Sequence, residues 1–365
     1  MLRFSLKLAI FLFPLAALVF WLRIEGGRLT AEPFYNELEE KLSSLAGTNG
    51  TPSLIVAGDS RAETQVDPEL MDSLIGLKTI NVGTASCDLI TLAKALGKRG
   101  MLDEDRVFAI SVSSFQINDG ALDPGYLSTA SLMEMALPDA IRVFRKDPDK
   151  ALPAYQGVIR RVFQRLLENE GFDVRRRSMA VAYTRSGFRP LVGKTDNRFS
   201  LILDPDHIKH TWYKHLADDG VRLRIFRDAI GMLGKSKGRF LIYHAGMSPA
   251  WRAYTRGTFV ARAESRFSDI VRAEVAKYPN MVFIDFYNGY ADRFPEDEYF
   301  DTGHLNVHGA ELFTRALVSE LERSPIWKGP SGTFIGRKPI HSVPAPQYEV
   351  SALSGSLAGS AGNPP

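Results

Sequence analysis

Three short stretches, far apart in the chain, carry residue types that could cooperate in acyl transfer. The first is Gly58-Asp59-Ser60, which ends the apolar run Leu54–Ala57. A serine hydroxyl is a weak nucleophile until a base takes its proton, and the base needs an acid to fix its tautomer. The second stretch, "YFDTGHLNVHGAELFTRAL", supplies both, because Asp301 and His304 stand three residues apart just before a helical pattern. In a turn entering a helix, that spacing can put both side chains on one edge. The third is Gly83, directly after the apolar run Lys78–Val82. A glycine there lets its N–H come close to a substrate oxygen, so the Gly83 and Ser60 N–H groups are the candidate oxyanion donors.

Each piece also has a plainer reading. Asp59 and Ser60 could simply cap a turn or helix, and Gly83 could mark a strand-to-helix turn. His308, one helical turn beyond His304, reads as a neighbour of the site. A metal site built from Asp301, His304 and His308 has permissible spacing, but it would leave the strand-terminal serine unexplained. Cys87 is the single cysteine, so neither an internal disulfide nor a cysteine-based zinc site is available. It reads as a small core residue.

The elements that must position these residues form an alternating series. Strand candidates are Leu54–Ala57, Lys78–Val82, Val107–Val112, Arg239–Tyr243 and Val282–Phe286. A helix is expected over Pro68–Ile75, with Asp67 as N-cap and Pro68 at the first helical position. Another should run from about Asp88 to Gly100. Continuous apolar runs joined by helices predict an α/β fold with a parallel sheet covered on both faces. In such sheets ligands bind outside the carboxyl ends of the strands, where Ser60 emerges. Between the third and fourth strands lie amphipathic patterns and the basic cluster "DVRRRSMAVAYTRSGFRP". We read residues of about 115–235 as a mostly helical insertion over that edge, shaping a substrate groove.

The chain of 365 residues has ordinary globular composition, 45% hydrophobic and 24% charged, with a net charge of +3. That small charge excludes a strongly basic nucleic-acid protein. At the N-terminus, Arg3 and Lys7 precede an uncharged run, Leu8 to Leu22, closed by Trp21 and Arg23. The basic residues should stay in the cytoplasm and the remainder should exit. Residues 1–23 are therefore expected to be an uncleaved anchor in the lipid bilayer, with a cleaved signal peptide as the rival. Residues 24–50 read as a juxtamembrane helix and linker, and 51–327 as the main domain. The Gly-, Pro-, Ser- and Ala-rich segment 328–365 reads as a disordered tail.

Gly58-Asp59-Ser60, Gly83 and Asp301-Thr302-Gly303-His304 resemble, in order and strand position, the blocks of the SGNH (GDSL) hydrolase superfamily. The resemblance spans most of residues 50–325 at the level of topology, with close matches only in short stretches. It implies a flavodoxin-like three-layer α/β/α sandwich with a five-stranded parallel sheet of order 2-1-3-4-5. It also implies Ser60 as nucleophile, His304 as base and Asp301 as its orienting acid. The anchor, the insertion and "HLNVHGAELFT" are most similar to a membrane-anchored subgroup of cell-envelope proteins, those resembling DltD and the SGNH-like proteins of alginate acetylation. From that subgroup follow an envelope polysaccharide substrate, a membrane-bound O-acyltransferase partner and no metal or organic cofactor. One departure stands out. The superfamily's Gly-x-Asn-Asp motif after the third strand is replaced by "AISVSSFQINDG", with Ser113 or Ser114 in the expected place and Asn118-Asp119 several residues late.

Two functions are compatible with these residues: a serine acyltransferase or esterase, and a binding protein that keeps the fold without turnover. For the location, the charge bias at Arg3 and Lys7 predicts that residues 30–365 lie outside the cytoplasm. A reporter fused after Trp327 should be active only when exported. Activity confined to the cytoplasm would contradict the assignment.

Overall fold

The computed structural model describes residues 33–46, 53–85, 87–118, 183–184, 186–193, 220–290 and 293–327, with isolated positions elsewhere. Helix α1 (Pro33–Ala46) precedes strand β1 (Leu54–Ala57), helices α2 (Ser60–Gln65) and α3 (Pro68–Ile75), strand β2 (Thr79–Asn81) and helix α4 (Leu89–Lys98). Strand β3 (Val107–Val112) and helix α5 (Val221–Gly234) lead to strand β4 (Arg239–His244), helices α6 (Pro249–Thr255) and α7 (Phe259–Val275), and strand β5 (Met281–Asp285). The short helix α8 (Phe286–Gly289) and the long helix α9 (Val307–Arg323) complete the series.

The five strands form one parallel sheet of order β2-β1-β3-β4-β5. Every residue of β1, β3 and β4 is buried, which is why these strands read as continuous apolar runs instead of alternating ones. The two-residue period still divides them between two cores. Ile55, Ala57, Phe108, Ile110, Phe240 and Ile242 point to one core, with residues of α4, α5 and α7. Leu54, Val56, Val107, Ala109, Leu241 and Tyr243 point to the other, with α3 and α9. Phe108 and Phe240 stack across β3 and β4 with centroids 5.0 Å apart. Burying each such side chain is worth about 2 kcal/mol, so the sheet is a rigid platform for what projects from its edge.

Local chemistry sets the helix ends. Asp67 accepts hydrogen bonds from the N–H groups of Glu69 (2.9 Å) and Leu70 (3.3 Å), and Pro68 opens α3. Asp88 accepts from Thr91 N–H at 2.9 Å and opens α4. β5 lies one residue earlier than the apolar run suggests. Asp285 accepts from Asn288 N–H at 3.0 Å, and this cap turns Phe286 out of the strand and into α8. β2 is also shorter than expected. α5, placed by the sequence reading within the insertion, packs Phe226, Ile230 and Leu233 into the core beside α4. It supplies the crossover that parallel β3 and β4 require.

The expected anchor Leu8–Leu22, most of the linker before β1, the bulk of the insertion and the tail 328–365 lie outside the described residues. Among the described residues no helix is long and apolar enough to cross a membrane. One piece of the insertion, residues 186–193, does cross the carboxyl edge. Ser186 C=O accepts from Asn81 N–H (2.8 Å), Arg189 N–H donates to Glu63 C=O (3.0 Å) and Leu191 C=O accepts from Val307 N–H (2.9 Å). This strip therefore ties the ends of β2, α2 and α9 together. Gly187 makes its close passage possible, since an added Cβ would stand 2.0 Å from Asn81 O.

Gly58 has φ of +122°, and a Cβ there would stand 2.5 Å from Ser111 O and 2.9 Å from Ser111 N. Both clashes are with backbone of the central strand β3, which cannot yield. Gly58→Ala should cost about 3 kcal/mol or more. Gly193, with φ of +81° but open space around it, should lose only about 1 kcal/mol on the same change. Urea midpoints of the two variants at an unchanged slope test the difference.

Candidate active site

Chain direction changes sharply at the end of β1. Gly58 makes the turn, Asp59 takes an extended conformation (φ −80°, ψ −167°) and Ser60 begins α2. Asp59 is 1% exposed. Its carboxylate accepts from Arg61 N–H (3.1 Å), from the Ser111 hydroxyl (2.9 Å) and from the Ser113 hydroxyl. The sequence reading treats Asp59 as a turn cap. The structure shows a buried carboxylate that also clamps the Ser60 turn to the end of β3.

The second stretch folds as a tight turn before α9. Asp301 Oδ1 accepts from the Gly303 and His304 N–H groups, both at 2.8 Å. The same carboxylate lies 2.8 Å (Oδ2) and 3.0 Å (Oδ1) from His304 Nδ1. The backbone bonds hold the acid side-on to the ring, so Nδ1 carries the proton and Nε2 is free to accept. His304 Nε2 lies 2.8 Å from Ser60 Oγ. Ser60, His304 and Asp301 thus form a continuous hydrogen-bonded chain at the carboxyl edge of the sheet. Burial pulls the Asp301 carboxyl upward, but the His304 ring and the two backbone N–H groups outweigh it and leave the group below its ordinary value. An acid that stays ionised can stabilise an imidazolium once the ring has taken the serine proton.

The two turns are also fastened to each other. Gln65 Nε2, at the end of α2, donates to Gly303 C=O at 2.8 Å. Asp67 N–H donates to the Thr314 hydroxyl of α9 at 3.0 Å. Ser248 N–H, after β4, donates to Thr302 C=O at 3.0 Å. The Ser60–His304 distance is therefore set by bonds on both sides of the pair.

The candidate oxyanion donors fare differently. Ser60 is the first residue of α2, where its N–H has no acceptor within the helix, so that donor remains usable. The Gly83 N–H is not usable in this arrangement, because it donates to Asn81 Oδ1 at 2.9 Å. The other end of the Asn81 amide donates to Ala62 C=O (2.7 Å) and Val66 C=O (2.9 Å). Asn81 thus splints α2 to the loop after β2, and Gly83 serves that close packing: a Cβ would stand 2.6 Å from Glu63 N. Ser113 and Ser114 do not replace the missing asparagine either. Ser113 donates to Asp59, and Ser114 Oγ donates to Glu264 Oε1 at 2.8 Å. His308 is exposed on α9 and takes no part in the chain. Burial pushes the Cys87 thiol up, away from nucleophilic thiolate character. Among the described residues no group of three His, Cys, Asp or Glu side chains could hold a metal ion.

Sequence reasoning missed a buried acid one helical turn after Ser60. Glu63 is fully buried. Its carboxylate accepts from the Tyr183 hydroxyl at 2.6 Å and lies 3.9 Å from both Lys41 and Arg189. Burial raises this carboxyl, with Lys41 opposing. Lys41 Nζ in turn donates to Gly83 C=O at 2.5 Å, so α1 braces the loop after β2. The partners come from α1 and from the insertion, and their spacing in sequence gives no sign of the contact.

No family model matches the chain, and no curated protein matches it. Among solved structures, a Streptococcus pneumonia protein assigned provisionally as a platelet activating factor aligns with 85% of this chain and 98% of its own, at 11% identity and a TM-score of 0.37. A likeness that weak carries no argument about activity, so the reading of the site rests on its own geometry.

Because the Asp301 carboxyl is depressed in the folded state, the stability it contributes is complete above the ordinary aspartate value of 3.8. That contribution is lost as pH falls through the lower folded value. Asp301→Asn should therefore be less stable than the parent near neutrality, and the gap should close below about pH 4. Urea midpoints of both proteins across pH 2–7 test this. A gap that stays constant to the lowest pH would contradict it.

Proposed function

We propose that the protein is a serine acyltransferase or esterase of SGNH type. The single observation behind this reading is the chain Ser60 Oγ to His304 Nε2 at 2.8 Å and His304 Nδ1 to Asp301 Oδ2 at 2.8 Å. In the proposed reaction His304 takes the Ser60 proton as Oγ attacks the ester carbonyl of an acyl donor. Asp301 steadies the resulting imidazolium. The Ser60 N–H, at the first position of α2, receives the developing oxyanion. Collapse returns the proton from His304 to the departing alkoxide and leaves an acyl ester on Ser60. A hydroxyl then repeats the sequence in reverse, with a sugar or polyol oxygen as acceptor in a transferase and water in an esterase.

The finer reading is extracytoplasmic O-acylation, by D-alanyl or acetyl groups, of an envelope polysaccharide. It rests on the basic-apolar N-terminal segment and the resemblance of the motifs. In that setting the anchor would hold the enzyme beside a membrane-bound O-acyltransferase that supplies the acyl group. The second reading, a binding protein without turnover, draws on the engaged Gly83 N–H and on the Ser113 and Ser114 hydroxyls already bonded elsewhere. These leave one identified oxyanion donor, where loss of a single donor elsewhere costs about 3–4 kcal/mol in the transition state.

A serine-reactive fluorophosphonate separates the two. The parent protein should be labelled at Ser60. Ser60→Ala should abolish labelling, and His304→Ala should slow it about as severely as it slows ester hydrolysis. The double change should be little worse than either, because the residues act as one unit. Ser60→Ala removes one oxygen and should leave the thermal midpoint nearly unchanged. No labelling of the parent would put the binding-protein reading first.

A further inference from the structure

Tyr183 sets one phenol oxygen against two acids. Its hydroxyl lies 2.6 Å from Glu63 Oε1 of α2 and also within hydrogen-bonding reach of Glu37 Oε1 of α1. A phenol has one proton to donate. Burial, and then the two glutamates themselves, push this phenol up, so the proton stays on it. With both carboxylates ionised, one of the two contacts would be a hydrogen bond. The other would press an acceptor oxygen against an acceptor oxygen with no proton between them.

The neighbouring cations do not mend this. Lys41 Nζ stands 2.9 Å from Glu37 Oε1 but 3.9 Å from Glu63 Oε1, lies over the Tyr183 ring at 4.2 Å and donates to Gly83 C=O. Arg189 Nη1 is likewise 3.9 Å from Glu63 Oε2. Both distances to Glu63 exceed hydrogen-bond length. Glu63 Oε2 is buried and has no hydrogen-bond partner among the described residues. An ionised carboxylate there would meet the cost of burial with a single hydrogen bond. Burial is the largest influence on the Glu63 carboxyl and Glu37 adds to it. Together they outweigh Lys41, Tyr183 and Arg189 and raise the group.

We propose that Glu37, Tyr183 and Glu63 share one proton beyond the phenol's own, so that the two acids together carry a single negative charge at neutral pH, and that this proton positions α2 and with it Ser60. The proton belongs to the group as a whole. Held on Glu37, it makes the donation run from Glu37 to Tyr183 to Glu63; held on Glu63, it makes the donation run the other way. One proton thereby joins α1, the insertion and α2. Its loss would set two negative charges on one phenol oxygen and drive Glu63 away from α1. The α2 backbone would feel that displacement, because Glu63 N–H donates to Asp59 C=O (3.2 Å), Glu63 C=O accepts from Arg189 N–H (3.0 Å) and the Thr64 hydroxyl donates to Ser60 C=O (2.8 Å). The shared proton stands apart from the catalytic reading, whereas the positioning half rests on Ser60 as the reacting group.

Infrared spectroscopy of the full chain at pH 7 reads the proton directly. The parent should show a protonated-carboxyl stretch that is missing from Glu63→Gln and from Glu37→Gln alike, because the amide replacing either acid supplies the hydrogen. A parent without that band overturns the proposal, and a band that survives Glu37→Gln belongs to a lone acid and overturns the sharing. Urea unfolding gives a second reading. A raised acid contributes stability that is complete below its ordinary value, 4.5 here, and is lost as pH rises toward the raised one. The unfolding constant of the parent relative to Glu63→Gln should therefore climb above pH 4.5, by up to about tenfold per pH unit. A ratio that stays level or falls marks an ordinary ion pair with Lys41 and overturns the proposal. Fluorophosphonate labelling of Ser60 tests the positioning half. Glu63→Ala should slow it about tenfold, and Glu63→Gln should restore it. The rate in the parent relative to Glu63→Gln, a ratio that cancels the contribution of His304, should fall over the same pH range in which the unfolding ratio climbs. A labelling ratio independent of pH overturns the positioning. Should Glu63→Gln fail to fold, Glu37→Gln on α1 supplies both ratios. Labelling without the band sinks this inference alone. The band and the climbing unfolding ratio without any labelling sink the catalytic reading alone.

Discussion

The Asp59 carboxylate is one group to which three parts of the molecule answer. It lies at the carboxyl end of β1, almost wholly removed from water, and takes hydrogen bonds from the Arg61 N–H and the hydroxyls of Ser111 and Ser113. The first of these starts α2 with Ser60 as its opening residue. The other two come from the end of β3, the neighbouring central strand. A buried carboxylate is tolerated only when its lone pairs are met by such donors. The requirement therefore runs both ways: the donors satisfy the acid's lone pairs, and the acid fixes where β1 stops and where the Ser60 hydroxyl stands. Gly58 belongs to the same constraint, because only a residue without Cβ can pass Ser111 at the distance that the Asp59 bonds demand.

His304 is brought to Ser60 from the other end of the chain by an analogous device. Asp301 satisfies two backbone N–H groups of its own turn and the Nδ1 of the ring with one carboxylate. The turn and the ring orientation are thus a single structural solution. Asn306 then caps α9 by accepting from Gly309 N–H at 3.0 Å, and Tyr299 pairs with Leu305 across the turn. Each half of the site is prepared locally, and the long-range bonds from Gln65 to Gly303 and from Asp67 to Thr314 bring the halves together. An arrangement fixed by bonds that do not involve the reacting atoms needs little reorganisation when charge moves.

The sequence made the frame of this fold legible because its strands are buried on both faces. Leu54–Ala57, Val107–Val112 and the run from Arg239 stand out as uninterrupted apolar segments, and the observed β1 and β3 coincide with the expected spans. Asp67-Pro68 was equally readable, since a side-chain cap and a proline act over a few residues. Legibility failed where the deciding partner is remote. The fate of the Gly83 N–H depends on Asn81, whose amide is turned by the carbonyls of Ala62 and Val66. A glycine after a strand looks the same whether it faces a ligand or a packed helix. The departure at Ser113 and Ser114 was visible as a missing asparagine, but its physical content was not. One serine went to Asp59 and the other to Glu264, a residue 150 positions away in sequence.

Glu63 shows how the outlying segments bear on the centre. It sits three residues after Ser60 and is fully buried. Its compensation comes from Lys41 of α1 and from Tyr183 and Arg189 of the segment between β3 and β4. α1 packs Leu38 and Leu42 into the core it shares with α4, α5 and α7, whereas Tyr183 and Arg189 belong to the insertion. Lys41 also reaches the Gly83 carbonyl, and the strip 186–193 spans from Asn81 to Val307. Removing α1 would take Lys41 from both Glu63 and the Gly83 carbonyl, and pulling that strip away would take Arg189 from Glu63. The sheet holds α2 through Asn81 and Asp59, and Lys41 and the inserted strip add support on the side of Glu63. Helix α1 and the inserted strip therefore belong to the construction of the site, since both contact Glu63 one helical turn after Ser60.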